Sequence, residues 1–212
     1  MRPASASQRR VLSAVILAAG ASTRMGRLKQ LLPLAGRPLL QHVVDAAVAS
    51  RLDEVILVLG ARAAEIRAAI TCCECVRVVV NREYADGQST SLRAGLRAAS
   101  PRSAAAAVLL GDQPRMTAQR IDAVAAAFLQ TSACVVRPVY AAVGGHRVPG
   151  HPVFLARRVW PDIDALRGDQ GARALLSAHP EWLLEVPVAG EAPRDVDTWE
   201  DYRYSVGDGH DG

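Results

Sequence analysis

Continuous apolar runs alternate along this chain with stretches whose apolar residues recur at helical spacing. Val15-Ile16-Leu17, Val55 to Leu59, Val76 to Val80, Ala105 to Leu110 and Val135 to Val139 are short and uniformly apolar. They predict strands buried on both faces. Leu39, Leu40, Val43, Val44, Ala47 and Val48 follow Pro38, a residue suited to a first helical turn, and predict a helix with one buried face. Ala63 to Ile70 predicts a short helix. A third helix should run to about Ala99, and Thr117 should cap a fourth whose apolar stripe is Ile121, Val124, Ala125, Phe128 and Leu129. Strands alternating with helices imply parallel pairing, hence a single-domain α/β fold: a mostly parallel, Rossmann-like three-layer sandwich.

Polar stretches mark the loops. Asn81 to Ser91 is turn-rich and too long for a minimal connection, so it is either a binding loop or a surface loop whose Ser or Thr caps the next helix. Tyr140 to Gly150, with its glycines, proline and basic residues, predicts a small hairpin or flap insertion leading into His151-Pro152-Val153-Phe154. Beyond it we expect a helix around Gly171 to Ala178, a strand around Leu183 to Val188, and a last helix near Thr198 capped by Asp197 or Thr198. Residues 1–10 read as a disordered leader, 11–205 as the domain and 206–212 as a disordered tail.

The 212 residues can bury a core without a second domain, and with half of them hydrophobic but only 4% aromatic that core should be aliphatic. A formal charge of +4 suits an anionic small substrate. No Lys/Arg stripe with interleaved aromatics points to nucleic acid. No apolar segment is long enough to span a bilayer, and Met1 to Arg10 lacks the apolar stretch of a signal peptide, so a cytoplasmic protein is expected. Cys72, Cys73, Cys75 and Cys134 lack the paired C-x-x-C spacing of zinc sites and read as reduced packing residues.

The candidate chemistry centres on Leu17-Ala18-Ala19-Gly20-Ala21-Ser22-Thr23-Arg24-Met25-Gly26-Arg27-Leu28-Lys29. A strand delivers it to a sheet edge, small residues let backbone N–H groups approach a ligand, and Arg24 with Lys29 can neutralise a triphosphate. Five residues separate Gly20 from Gly26, which excludes a P-loop, and G-x-G-x-x-G is absent. Taken alone, the stretch is equally an ordinary strand-to-helix turn. Asp112 ends a strand in Gly111-Asp112-Gln113-Pro114, where a carboxylate can either hold a metal or satisfy a turn. Asp195 and Asp197, two apart, point the same way if extended and can complete a metal site or cap the last helix.

The opening L-A-A-G-x-S-x-R-M-G-x-x-K, with Leu31-Leu32-Pro33-Leu34-Ala35-Gly36-Arg37-Pro38-Leu39-Leu40 after it, resembles the nucleotidyltransferases related to molybdenum cofactor cytidylyltransferase. Gly87 to Gly95, Leu110 to Pro114, Gly150 to Val153, Leu166 to Arg173 and Asp195 to Thr198 resemble the same family, so the likeness spans about residues 12 to 204. Trp199 departs from it, standing where the family usually has proline.

The resemblance implies a nucleotidyltransferase-type fold and transfer of CMP from CTP to the terminal phosphate of molybdenum-bound molybdopterin, with Mg²⁺ as cofactor and a recipient molybdoenzyme as partner. Leu17, Ala18, Ala19, Gly20, Arg24, Lys29, Ser89 and Ser91 would bind nucleotide. Lys29, Arg24 and Asp112 would be catalytic; Asp112 and a residue of Asp195/Asp197 would hold metal. His151 and Arg173 would meet the acceptor, with Arg147 and Arg167 as weaker candidates. Ala19 implies CTP, since guanylyltransferase relatives tend to carry glycine there, and a methyl should crowd a purine. Other outcomes the family allows are another base or acceptor, a sugar or alcohol phosphate, an NAD(P)H-dependent reductase, or a carrier for molybdenum cofactor.

Overall fold

A computed structural model of the protein describes residues 10–142, 145–166 and 176–207. The predicted leader up to residue 9, the tail beyond 207, most of the predicted Gly171 to Ala178 helix, and Arg167 and Arg173 lie outside the described residues.

The predicted strands form, β5 and β10 with the expected bounds and the others longer by one residue or more: β1 Val11–Ala18, β4 Glu54–Leu59, β5 Val76–Val80, β6 Ser103–Leu110, β7 Val135–Ala141 and β10 Leu183–Val188. Three elements are too short to leave a periodic signal: the paired β2 Pro33–Leu34 and β3 Arg37–Pro38, and β8 Arg147–Pro149. The run after Pro152 is a further strand, β9 Val153–Ala156. Helices α1 Leu39–Val48, α2 Ala63–Ala69, α3 Gln88–Ala98, α4 Ala118–Leu129, α5 Trp160–Asp164 and α6 Trp199–Gly207 complete the described elements. Val206 and Gly207, expected in the tail, thus close the last helix.

Among the described residues the main sheet runs β10-β7-β9-β6-β1-β4-β5, with β8 on β7. Pairing is parallel except where β9 runs against β6 and β7, and β8 against β7. Tyr140 opposite Val148 and Ala141 opposite Arg147 form the predicted hairpin. The chain steps outward from β1 to β4 and β5, then returns beyond β1 as β6. In such a sheet, loops leaving the carboxyl ends of β1 and β6 diverge and open a crevice.

Both faces of the central strands are covered, which explains their unbroken hydrophobicity. Ala14, Ile16, Leu57 and Leu59 pack with α1 residues Leu40, Val43 and Val44; Val15, Ile56 and Val58 pack with Leu92 and Leu96 of α3. Ala107, Val136 and Phe154 pack with Val124 and Phe128 of α4. Of the predicted α4 stripe, Leu129 is exposed.

Two expectations need correction. Helix α3 begins at Gln88 rather than after Ser91, because Gly87 turns the chain sharply at φ 107° and the Thr90 hydroxyl donates to the Gly87 and Glu83 carbonyls. Ser89 and Ser91 therefore stand in the first turn of a helix. Cys73 and Cys75 are joined by a disulfide with Cα atoms 5.3 Å apart, a separation such a bridge spans, in an exposed turn between α2 and β5. Cys72 beside them is free and exposed, so these three are not packing residues, while half-buried Cys134, just before β7, does pack against the core cluster that includes Val135 and Leu155.

Candidate active site

The loop after β1 is held from below. Gly20 is exposed, and a Cβ added to it would meet no atom of the described residues within 4 Å. Its φ lies outside the left-handed region, so neither internal packing nor backbone conformation demands glycine there. An open outer side suits close approach of a ligand to the backbone. By contrast, the methyl groups of Ala18 and Ala19 are turned into the protein: Cβ atoms built on Gly111 and Gly60 would lie 2.8 Å from them. Met25 and Leu28 are buried anchors, and between them Gly26 takes φ 65°. They fix the end of the loop and deliver Lys29 into a 3₁₀ turn.

Lys29 reaches across the crevice. Its Nζ donates to Asp112 Oδ2 at 2.6 Å and to Asp197 Oδ1 at 2.7 Å. Arg24 Nη1 donates to the other oxygen of Asp197 at 3.2 Å. Three segments far apart in sequence thus meet at one ammonium group. Asp112 comes from the end of β6. Asp197 arrives because Val196, fully buried among Met25, Leu32 and Leu39, plugs its segment into the core. The Val196 amide also donates to the Asp112 carbonyl at 2.9 Å. Asp195, on the other side of Val196, accepts from Gln113 Nε2 at 2.7 Å.

Neither aspartate caps α6. Thr198 does, its hydroxyl accepting from the Asp201 amide, while the Asp201 carboxylate accepts from the Asp197 and Thr198 amides. Asp197 is thereby left to face Lys29.

The electrostatics follow from this packing. Burial works against the Lys29 charge, but Asp112 and then Asp197 outweigh it and raise its pKa above the ordinary lysine value. Burial raises the pKa of Asp112; Lys29 opposes that shift, and Asp195 and Asp197 add to it. The hydrogen bond from Lys29 holds Asp197 below the ordinary carboxylate value, with Arg24 helping. His151 is held neutral at about 4, chiefly by burial; Asp112 pulls the other way and Arg137 adds to the depression. Among the described residues no group of three or more His, Cys, Asp or Glu is arranged to hold a metal ion.

Comparison with known proteins gives the family of the chain. Residues 14–182 match the family described as the MobA-like NTP transferase domain. The chain belongs to this family. The family and the fold are those of nucleotidyltransferases, so a nucleotide is the expected substrate. Among curated proteins, nicotine blue oxidoreductase of Paenarthrobacter nicotinovorans is 31% identical over 89% of this chain and 93% of its own. Purine catabolism protein PucB of Bacillus subtilis (strain 168) is 30% identical over 90% and 94%. Among solved structures, Rv0371c of Mycobacterium tuberculosis H37Rv superposes with a TM-score of 0.81 at 32% identity, covering 93% of this chain and 98% of that one. The same protein in complex with manganese gives 0.77 at 30% identity, with the same coverage.

Of the remaining predicted site residues, Ser89 is fully buried and its hydroxyl finds no partner among the described residues. Ser91 instead accepts from Asn81 Nδ2 at 3.0 Å and so braces the loop before α3. His151 lies within the electrostatic reach of Asp112 at the head of β9, and its carbonyl accepts from the buried Tyr140 hydroxyl at 2.6 Å. Arg147 is exposed on the hairpin. Two bracing residues were not singled out in the sequence: Asn81 and Gln30. Both are buried polar residues beside a proposed binding loop, and a carboxamide directly after Lys29 in the motif was the available signal. Among the described residues no helix is long and apolar enough to cross a membrane.

Proposed function

We propose that this protein is a Mg²⁺-dependent cytidylyltransferase that transfers CMP from CTP to the terminal phosphate of molybdenum-bound molybdopterin and releases pyrophosphate. The observation that carries the proposal is Lys29, held by Asp112 and Asp197 at the mouth of a loop whose glycine has an open outer side. An acceptor phosphate oxygen forms a bond to the α-phosphorus as the bond from that phosphorus to the bridging oxygen breaks, and pyrophosphate leaves with the electron pair. Lys29 and Arg24 supply positive charge against the triphosphate, and the loop N–H groups orient it. Asp112 and Asp197 are the residues that would hold the metal. Asp112 Oδ1 is buried and makes no hydrogen bond among the described residues, so it offers an oxygen to a hard cation. When bound, Mg²⁺ neutralises phosphate charge at the point of attack. Neutral His151 then remains to accept or donate one hydrogen bond toward the acceptor.

Similarity to Rv0371c, solved with manganese, supports a divalent cation. The preference for CTP rests on the resemblance at Ala19 alone, since the methyl itself is turned into the protein toward Gly60. A second reading rests on the relative named nicotine blue oxidoreductase: reduction of an aromatic substrate by NAD(P)H. The retained Lys29, Asp112 and Asp197 favour transfer over reduction or simple carriage. To separate these readings, the protein is incubated with Mg²⁺, molybdenum-loaded molybdopterin and each of the four NTPs, with pyrophosphate measured, and in parallel with NADH or NADPH and aromatic acceptors. Pyrophosphate release strongest with CTP is expected. Nicotinamide oxidation without pyrophosphate release would replace this reading with the second.

A further inference from the structure

Gln30 is 3% exposed, and its carboxamide is spent on one loop. Nε2 donates to the Gly20 carbonyl at 2.9 Å and more weakly to that of Ala18 at 3.4 Å. Oε1 accepts from the Ser22 hydroxyl at 3.2 Å, and that hydroxyl accepts from the Lys29 amide at the same distance. On the far side, the Ala19 carbonyl accepts from the Ala61 amide at 3.1 Å. The carbonyls of Ala18, Ala19 and Gly20 are therefore all engaged by the protein.

This matters because a trans peptide directs its C=O and N–H oppositely. Engaging the Gly20 carbonyl from beneath turns the Ala21 N–H toward the open side over Gly20. Engaging the Ala19 carbonyl at Ala61 likewise turns the Gly20 N–H away from that strand end. Successive outward N–H groups make a concavity for an anion. Ser22 adds a second sign of constraint. It adopts φ 53°, a left-handed conformation that is unfavourable for a residue with a Cβ and persists only where surroundings over-determine it. The surroundings that do so are Gln30 and the Lys29 amide.

We propose that Gln30 is a positioning residue: it presets the Gly20 to Ser22 backbone for a polyphosphate and, through Ser22, fixes where Lys29 begins its reach to Asp112 and Asp197. The inference rests on the nucleotide site of the proposed function, but it concerns phosphate binding rather than the base or acceptor. Gln30 touches no substrate; it acts through the backbone it holds.

The test compares wild type with Gln30→Met, which keeps the length and bulk of the side chain and removes the carboxamide, and with Gln30→Glu, which keeps the shape and removes the two N–H donors. Three readings are taken: calorimetric binding of CTP and of inorganic tripolyphosphate with Mg²⁺, steady-state constants for pyrophosphate release, and amide hydrogen exchange at residues 19–22 in the free protein. Both variants should bind tripolyphosphate and CTP about tenfold or more weakly, with KM for nucleotide raised more than kcat is lowered. Exchange at residues 19–22 should accelerate while thermal stability in Gln30→Met stays near wild type. A residue that merely fills space would tolerate methionine, so unchanged tripolyphosphate affinity and loop exchange in Gln30→Met overturn the inference. If wild type binds tripolyphosphate and CTP but transfers no nucleotide to molybdopterin, the acceptor reading fails and the Gln30 prediction is still decided by affinity. If wild type binds neither, both fall.

Discussion

At the scale of single residues, the account turns on one ammonium group shared by two carboxylates. Lys29 is mostly enclosed, with 13% of its side chain exposed, whereas Arg24 is 72% exposed. The enclosed cation should contribute more in the transition state, where water screens it least. Lys29→Ala is expected to lower kcat by about 10²- to 10³-fold, measured by initial rates of pyrophosphate release on folded variant. A change confined to KM would make Lys29 a uniform binding contact. His151 gives a prediction in pH. Its folded pKa, about 4, lies below its ordinary 6.5, so the folded state takes up its proton later than the unfolded chain as pH falls. Its contribution to stability is complete above pH 6.5 and is lost between there and about 4. Chemical denaturation at several pH values should show His151→Gln losing less stability than wild type across this window; parallel curves would contradict a histidine held neutral in the folded state.

Much of this was legible in the motif order: Arg24, Lys29, Asp112 and the Asp195/Asp197 pair all stand in segments that read as sites. What the sequence left open was which aspartate meets Lys29. The spacing puts both on one side of an extended segment, and only the burial of Val196 and the cap at Thr198 direct Asp197 to Lys29 and Asp195 to Gln113. Gln30 was overlooked because a polar residue after a functional lysine carries no periodic signal of burial. The disulfide of Cys73 and Cys75 was missed because spacing alone does not reveal a turn that brings two Cα atoms together.

At the scale of elements, the helices were legible from their apolar stripes and the strands from their uniform burial. Boundaries and short pairings were not. The start of α3 is set by the turn at Gly87 and the back-bonding of Thr90, which depend on the Glu83 carbonyl being near. Strand β9 is a four-residue apolar run whose direction against β6 and β7 no local pattern encodes. Helix α3 also holds a close approach that its sequence hints at through an interior glycine. A Cβ on Gly95 would lie 2.3 Å from Val15 Cγ1 and 3.1 Å from Val58 Cγ2. Alanine usually favours a helix over glycine by about 1 kcal/mol. Here, however, overpacking against two buried valines, at roughly 1–3 kcal/mol, should match or exceed that gain. Gly95→Ala is therefore expected to leave the urea midpoint unimproved or lower it. A clearly raised midpoint would show that α3 has room to move off β1.

At the scale of the whole molecule, the topology explains why residues 24, 29, 112 and 197 converge. The chain leaves β1 and β6 at a switch in strand order, and the C-terminal segment crosses back to close the crevice through the Val196 amide and the Asp112 carbonyl. Parallel order was predictable from the alternation of elements; for residues 195–197 the spacing left a metal site and a helix cap both open, and the resemblance pointed to the site. The direct test of the central claim follows the α-phosphorus. Wild type and Asp112→Asn, the latter checked for an unchanged fold by circular dichroism, are given Mg²⁺, molybdenum-loaded molybdopterin and CTP labelled at the α-phosphate. Wild type should move the label onto the acceptor with one pyrophosphate released per transfer, and Asp112→Asn should move none. Label transfer undiminished in the folded Asp112→Asn protein, or no transfer by wild type to this acceptor, would contradict the account.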